Sequence, residues 1–194
     1  MEYMENKKKI YAFIDSQNIN MGVFAKRWNM DWGKFREYLR NTFGVEKAYL
    51  FIGYIDTNEE LYTRLTKEGF IVVYKKVLAV TKDEVTTYKG NVDAEMVLHT
   101  MIEYPNYDSA IICTGDGDFL CLIEYLEKNN KLEKIIAANK RFSTLLKGYT
   151  KYILDLYSLK KELGYVSKKK KKGEQKNNTK TTNSMTHVNE REKL

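Results

Sequence analysis

Short runs of apolar, β-prone residues recur along this chain and alternate with segments that have the 3.6-residue spacing of helices. The apolar runs are continuous, which is typical of strands that are buried on both faces of a sheet. Strands that are separated by helices form βαβ units, and such units build a mostly parallel sheet. The pattern therefore predicts an α/β protein, a three-layer α/β/α sandwich with a mostly parallel central sheet.

Six of these runs are predicted strands, and five of the segments between them are predicted helices. The predicted strands are 9–15, 46–55, 70–77, 109–114, 134–138 and 152–156. The predicted helices lie within 31–43, 57–69, 91–104, 119–128 and 143–148. Asp31 is expected to cap the first helix, a capping box of Thr57 and Glu60 the second, and Asn91 the third. The polar, Thr-rich residues 78–89 are expected to form a loop or a hairpin.

The net charge of this chain is concentrated at its end. Residues 166–194 hold nine basic and three acidic residues, which accounts for +6 of the formal net charge of +7. Their Lys-, Asn- and Thr-rich composition predicts a disordered basic tail after a short lead, 1–8, and one domain, 9–165. Five consecutive lysines in the tail are candidates for contacts with nucleic-acid phosphates: Lys168, Lys169, Lys170, Lys171 and Lys172. A solvated terminus that keeps the protein soluble is the alternative interpretation.

Membrane and export signals are missing from the sequence. It has no apolar run of about 18 residues, so no transmembrane helix is expected. The apolar run after the charged N-terminus stops at Asp15, too early for a signal peptide. Without an export signal, Cys113 and Cys121 are expected to be reduced thiols in a cytoplasmic protein.

Acidic residues follow two of the predicted strands. Asp15 ends the first strand in the segment FIDSQN, and Asp116 and Asp118 follow the strand 109–114 in the segment TGDGDF. A third segment, KGNVD, places Asp93 in the first turn of a helix. Open α/β sheets bind ligands beyond the carboxyl ends of their strands, where the strand order reverses. The acids therefore converge if these two strands are neighbours.

Carboxylates that converge in one cleft repel each other. A hard divalent cation relieves this repulsion, and carboxylate oxygens are ligands that Mg²⁺ and Mn²⁺ prefer. No softer site competes, because the chain has only His99 and His187 and its two cysteines lack a CxxC spacing. Each acid also has a structural explanation as a helix-capping or turn residue. Two strands that end in acids at one edge favour a metal site over that explanation.

The segments FIDSQN, KGNVD and TGDGDF, in this order, resemble the NYN domain, a family of the PIN-like superfamily of metal-dependent nucleases. The resemblance covers roughly residues 8–158. It implies an endoribonuclease that hydrolyses RNA phosphodiester bonds with Mg²⁺ or Mn²⁺ as cofactor and with single-stranded or structured RNA as partner. The family often has Gly in place of Ser16 and usually Ser in place of Thr114. Neither departure removes a metal ligand.

The resemblance also implies roles for the acids. The catalytic and metal-binding positions of the family carry over onto Asp15, Asp93, Asp116 and Asp118. Asp15 and Asp116 are expected to bind the ion directly. Asp93 and Asp118 are expected to bind a second ion, or to hold metal-bound waters and act as base.

Polar and basic residues near the acids complete the predicted site. Asn18 and Thr114 are expected to orient a water or a phosphate oxygen. Lys89 and Arg141 flank the acids in the predicted topology and are candidates for contacts with the RNA backbone. Because the domain is nearly neutral without its tail, affinity for RNA is expected to depend on the tail or on a partner, either a second copy of the chain or another protein.

Two other functions share part of this pattern. Haloacid-dehalogenase-like phosphatases also place an Asp after the first strand, but they need a second Asp where this chain has Gln17. Their Thr/Ser and Lys motifs have no clear place between the acids. The other alternative is a catalytically silent module that binds RNA or protein. The presence of all four acids argues against it, because a binding module does not need them.

Overall fold

The computed structural model of this chain describes residues 8–165 except 77, 83, 84, 90 and 91, and for 78–82 and 85–89 it describes the backbone alone. Strands and helices alternate as the sequence predicts. The strands are β1 (Ile10–Asp15), β2 (Val45–Tyr54), β3 (Ile71–Lys76), β4 (Leu78–Lys82), β5 (Val85–Lys89), β6 (Ser109–Cys113), β7 (Leu132–Ala137) and β8 (Ile153–Asp155). The helices are α1 (Ser16–Phe24), α2 (Trp32–Phe43), α3 (Glu59–Lys67), α4 (Asp93–Ile102), α5 (Leu120–Lys128) and α6 (Lys160–Leu163). Short 3₁₀ segments are Asp56–Asn58, Tyr104–Asn106, Gly117–Phe119, Thr144–Tyr152 and Leu156–Leu159.

Six strands form one sheet in the order β3-β2-β1-β6-β7-β8, and every neighbouring pair in it is parallel. This confirms the predicted α/β class with a sheet that is parallel throughout. The chain builds outward from β1 to β3 and then returns to the centre at β6. Strand order therefore reverses between β1 and β6, which is where open α/β sheets place their ligand crevice.

Helices cover both faces of the sheet, as the continuous apolar runs predict. Along β1, the side chains of Ala12 and Ile14 belong to the core that contains residues of α1, α2, α3 and α6. The side chain of Phe13 points the other way, into the core formed with α4 and α5. Because alternate residues of β1 are buried on opposite faces of the sheet, the strand is apolar at both odd- and even-numbered positions.

Of the predicted helix caps, one is confirmed and one is wrong. Asp31 caps α2, since its Oδ1 accepts a hydrogen bond from the Lys34 N–H at 3.1 Å, and Gly44 ends the helix with a φ of 70°. The capping box predicted at Thr57 is wrong. Residues 56–58 form a 3₁₀ turn instead, and α3 begins at Glu59 without a side-chain cap. The predicted cap Asn91 lies outside the described residues.

One helix was not predicted, and one has another geometry. The segment of α1 contains Gly22 and three Ser or Asn residues of modest helix propensity, so its sequence signal is weak. Burial of Ile19 and Val23 stabilises it against the sheet. The helix predicted at 143–148 is instead 3₁₀ in geometry and falls in the segment Thr144–Tyr152, which is kinked at Tyr149. A loop or a hairpin is expected within 78–89. The strands β4 and β5 pair in antiparallel fashion, as in a hairpin.

Further expectations concern membranes, thiols and the ends of the chain. Among the residues that the structure describes, no helix combines the length and apolarity that crossing a bilayer requires. Cys113 is a buried free thiol and Cys121 an exposed one, in agreement with the expectation that no disulfide forms. The predicted lead through residue 7 and the predicted basic tail, 166–194, lie outside the described residues.

Candidate metal centre at the carboxyl edge of the sheet

Three carboxylates meet where the strand order reverses. Asp116 and Asp118 follow β6, and Asp93 is the first residue of α4, the helix that precedes β6 in the chain. One oxygen of each lies within 4.8 Å of an oxygen of the other two. Asp93 and Asp116 are partly buried, whereas Asp118 is exposed. The predicted convergence of these three acids is therefore present in the fold, and we call this group the acid cluster.

Asp15 lies beside the acid cluster but has a different environment. It is 5% exposed, and its Oδ1 accepts a hydrogen bond from the Asn18 N–H at 3.0 Å, which caps α1. Burial raises the pKa of the Asp15 carboxyl to about 6, and the negative charges of Asp93 and Asp116 add to this rise. The charges of the cluster therefore act on the Asp15 carboxyl, although neither of its oxygens belongs to the three that are grouped within 4.8 Å.

Hydrogen bonds from neighbouring residues hold the turn after β6. The buried Thr114 hydroxyl oxygen accepts a hydrogen bond from the Asp116 N–H at 3.2 Å. Oδ1 of Asp116 accepts one from the Asp118 N–H at 3.1 Å. Oδ1 of Asn18 accepts one from the Gly115 N–H at 2.9 Å, which joins the start of α1 to this turn. In this geometry Thr114 and Asn18 position the acids.

Beside this turn lies a groove of about 300 Å³ between α1 and residues 137–142, which we call the α1 groove. Asn18 and Gly115 line one part of it, and Arg141 lines another. Arg141 thus shares this groove with Gly115, the residue that precedes Asp116. The side chain of Lys89 and the lysines 168–172 lie outside the described residues.

Asn139 was not predicted as part of this region. Its Nδ2 donates a hydrogen bond to the Gly22 carbonyl oxygen at 2.7 Å, and its Oδ1 accepts one from the Arg141 N–H at 2.8 Å. These contacts hold the segment after β7 against α1. A polar residue just beyond a buried strand is the same signal that identified Asp15 and Asp116, and applying it to the strand β7 would have found Asn139.

The chemistry of this arrangement follows from its donor atoms. Three carboxylates near one another offer hard oxygen ligands, and hard divalent cations such as Mg²⁺ and Mn²⁺ prefer such ligands. The acid cluster is open to solvent at Asp118. The residues therefore fit a divalent cation that remains accessible to a phosphate-containing ligand.

Comparisons with known proteins agree with this fold. The sequence profile of the NYN domain matches residues 9–157. An uncharacterized protein of Methanocaldococcus jannaschii is 24% identical over 154 residues, which cover 78% of this chain and 57% of that protein. The low amplitude and bright protein LabA of Synechococcus elongatus is 24% identical over 160 residues, covering 78% of this chain and 86% of LabA. A crystal structure of a protein of unknown function from Vibrio parahaemolyticus aligns with a TM-score of 0.59 and 25% identity, over 73% of this chain and 89% of that one.

Proposed function

Because the chain belongs to the NYN domain family, we propose that it is a ribonuclease that uses Mg²⁺ or Mn²⁺ to hydrolyse RNA phosphodiester bonds. The observation that carries this proposal is the acid cluster of Asp93, Asp116 and Asp118 at the point of strand reversal. Family membership in a nuclease-like fold explains why acids meet there. It gives no support to the phosphatase alternative.

The acid cluster supplies the ligands for the cation in this proposal. Asp93, Asp116 and Asp118 would hold it, and Asp15 would add its negative charge from the adjacent turn. When bound, such an ion lowers the pKa of a coordinated water and stabilises the charge that develops on the phosphate. Its positive charge would also offset the repulsion among the carboxylates.

The remaining predicted residues have supporting roles. Thr114 and Asn18 keep the turn after β6 in place through the hydrogen bonds to the Asp116 and Gly115 N–H groups. In this proposal Arg141, which lines the α1 groove, contacts the RNA backbone. Contacts of Lys89 and of the lysines 168–172 with RNA remain proposals from the sequence. So do a location in the cytoplasm and a dependence on a second copy or a protein partner.

The test is cleavage of labelled single-stranded RNA in the presence of Mn²⁺. We expect Asp116→Asn to reduce the rate by about 100-fold or more, because the cation that stabilises the developing charge loses one of its carboxylate ligands. Asp15→Asn should also reduce it. Asp155→Asn is a matched control, since Asp155 likewise ends a strand and caps the next segment, with its Oδ1 accepting from the Tyr157 N–H. EDTA should abolish cleavage by the wild type.

Two outcomes would contradict the proposal in different ways. Cleavage that survives EDTA and Asp116→Asn would come from a contaminating nuclease or from another site. A wild-type protein that neither cleaves RNA nor binds Mn²⁺ would favour a silent module that binds RNA or protein. Mn²⁺ binding can be followed by calorimetry, separately from activity.

A further inference from the structure

The α1 groove borders the turn that carries Asp116 and Asp118. Gly115 lines the groove and directly precedes Asp116 in the chain. Asn18 lines it too and is joined to Gly115 by the 2.9 Å hydrogen bond. A ligand in this groove therefore lies against the turn that holds Asp116.

The charge of the groove is opposite to that of the acid cluster. Among the described residues that line it, the charged ones are Lys26 and Arg141, and no acidic side chain is found with them. A phosphate that lies between these two cations would be attracted, whereas the carboxylates alone would repel it. The charge thus changes from positive in the groove to negative at the acid cluster. This suits an RNA strand whose phosphates pass along the groove and over the proposed cation site.

The groove also offers apolar surface for a base. Phe142 is half-buried against the core beneath α5 and lines the groove. Across from it on α1, Met21 is 61% exposed. Aromatic side chains bind unpaired bases by stacking, irrespective of their sequence.

Hydrogen bonds hold this surface in place at both ends. Asn139 fixes the segment to the Gly22 carbonyl oxygen on α1, and the Ser143 N–H donates to the Gly115 carbonyl oxygen at 2.9 Å. Arg141 and Phe142 lie between these two anchors. The floor is tightly packed, because a Cβ on Gly22 would lie 2.5 Å from Cβ of Ala138. Little ordering of the backbone is therefore needed on binding.

Building on the ribonuclease proposed above, we infer that the α1 groove binds one nucleotide of a single-stranded RNA next to the scissile phosphate. Lys26 and Arg141 contact its flanking phosphates, and the base stacks on Phe142. A volume of about 300 Å³ suits one unpaired nucleotide.

A larger pocket elsewhere on the surface is a weaker candidate for RNA. It measures about 520 Å³ and is lined by Tyr54, Tyr62 and Tyr74. Glu59 and Lys67 also line it, so these two charged side chains offset each other and give a phosphate no net attraction. Its described lining contains no residue from the turns that directly follow β1 and β6, so it does not lead to the acid cluster. It serves as a matched control surface.

The experiment measures binding of a fluorescent oligouridylate of about ten nucleotides, a length that covers the site and both flanks. The full chain carries Asp116→Asn to prevent cleavage, and anisotropy is recorded at several salt concentrations. Lys26→Gln with Arg141→Gln should weaken binding about tenfold and lower the salt slope of log K by about 1.4, the value for two single-strand phosphate contacts. Phe142→Leu should weaken binding about fivefold without changing the slope, and Phe142→Tyr should restore it.

Controls separate this inference from the proposed function. Lys67→Gln with Arg64→Gln on α3, and Tyr74→Leu on β3, remove the same kinds of group outside the groove and should leave binding within about twofold. In the wild-type background, the groove variants should bind Mn²⁺ unchanged. If the parent binds RNA and the groove variants match it in affinity and slope, the groove is overturned and the ribonuclease stands. If the parent does not bind oligouridylate and the wild type does not cleave it, both are overturned.

Discussion

The two edges of the parallel sheet arrange charge in opposite ways. At the edge where the strands begin, charges of opposite sign meet, as in the 2.6 Å contact between Lys8 Nζ and Glu133 Oε2. At the edge where they end, the like-charged carboxylates of Asp93, Asp116 and Asp118 lie within 4.8 Å of one another. The first arrangement pairs opposite charges, whereas the second places like charges together, which a bound cation would favour.

This difference indicates which charged residues serve a purpose other than stability. Exposed pairs of opposite charge contribute little to the free energy of unfolding and tolerate change. Carboxylates held close together repel one another, and such arrangements of charge are common at functional sites. Three predictions test this contrast between the edges.

The largest expected effect is stabilisation by metal. At about one hundred times its Kd, Mn²⁺ should raise the free energy of unfolding of the wild type by about 2.7 kcal/mol, because only the folded chain holds the acid cluster together. Asp116→Asn should remove this gain. The measurement is urea denaturation with and without Mn²⁺.

The control for this prediction lies at the opposite edge. Asp108 is another carboxylate beside β6, and its Oδ2 accepts a hydrogen bond from the Lys9 N–H at 2.8 Å. Asp108→Asn should keep the full gain from Mn²⁺. An equal gain in Asp116→Asn would mean that the ion binds somewhere other than the acid cluster.

A smaller effect is expected at Asp15 in the absence of metal. Its raised pKa of about 6 means that the folded state holds the proton more tightly than the unfolded state does. Stability from this group is present below about pH 4 and is lost as the pH rises to about 6. Asp15→Asn removes this loss and keeps an N-cap. It should raise the free energy of unfolding by about 2 kcal/mol at pH 7 in EDTA.

The pH dependence distinguishes this effect from a general change in packing. The gain should be small near pH 4 and vanish at lower pH, where the wild-type carboxyl is protonated in both states. Asp31→Asn makes the same substitution at the cap of α2 and should change stability by less than about 0.5 kcal/mol. A gain at Asp15 that is the same at pH 4 and pH 7 would contradict the electrostatic explanation.

The smallest effect is expected at the edge where the strands begin. Lys8→Gln removes the contact with Glu133, in which the lysine side chain is 54% exposed. We expect the free energy of unfolding to fall by less than about 0.5 kcal/mol, with Mn²⁺ affinity unchanged. A larger loss, measured by denaturation, would show that this edge also depends on its charges.

Much of the fold could be predicted because its determinants are local. The six strands follow from continuous apolar runs, and α2 follows from its capping residues Asp31 and Gly44. The helix α1 could not be predicted from its own residues, because contact with the sheet outweighs their weak propensity. The capping box predicted at Thr57 does not form, because a 3₁₀ turn occupies residues 56–58.

The candidate site could be predicted only in part. A strand end followed by an acid is visible in the sequence, which identified Asp15 and Asp116. Asn139 has the same position after β7, yet its importance comes from the contacts that it makes with α1 and with the Arg141 N–H. Those contacts depend on how the elements pack, and no pattern within the segment contains them.

By itself the sequence determined the class of fold, the six strands of the sheet, most of its helices and the residues with the chemistry of a cation site. Tertiary structure decided which of them meet. The hydrogen bond between Asn18 and Gly115 joins residues 97 positions apart, and it exists because β1 and β6 are neighbours in the sheet. Local propensity acts over a few residues, whereas strand order follows from burying both faces of the whole sheet. The acid cluster at the carboxyl edge is a product of that burial.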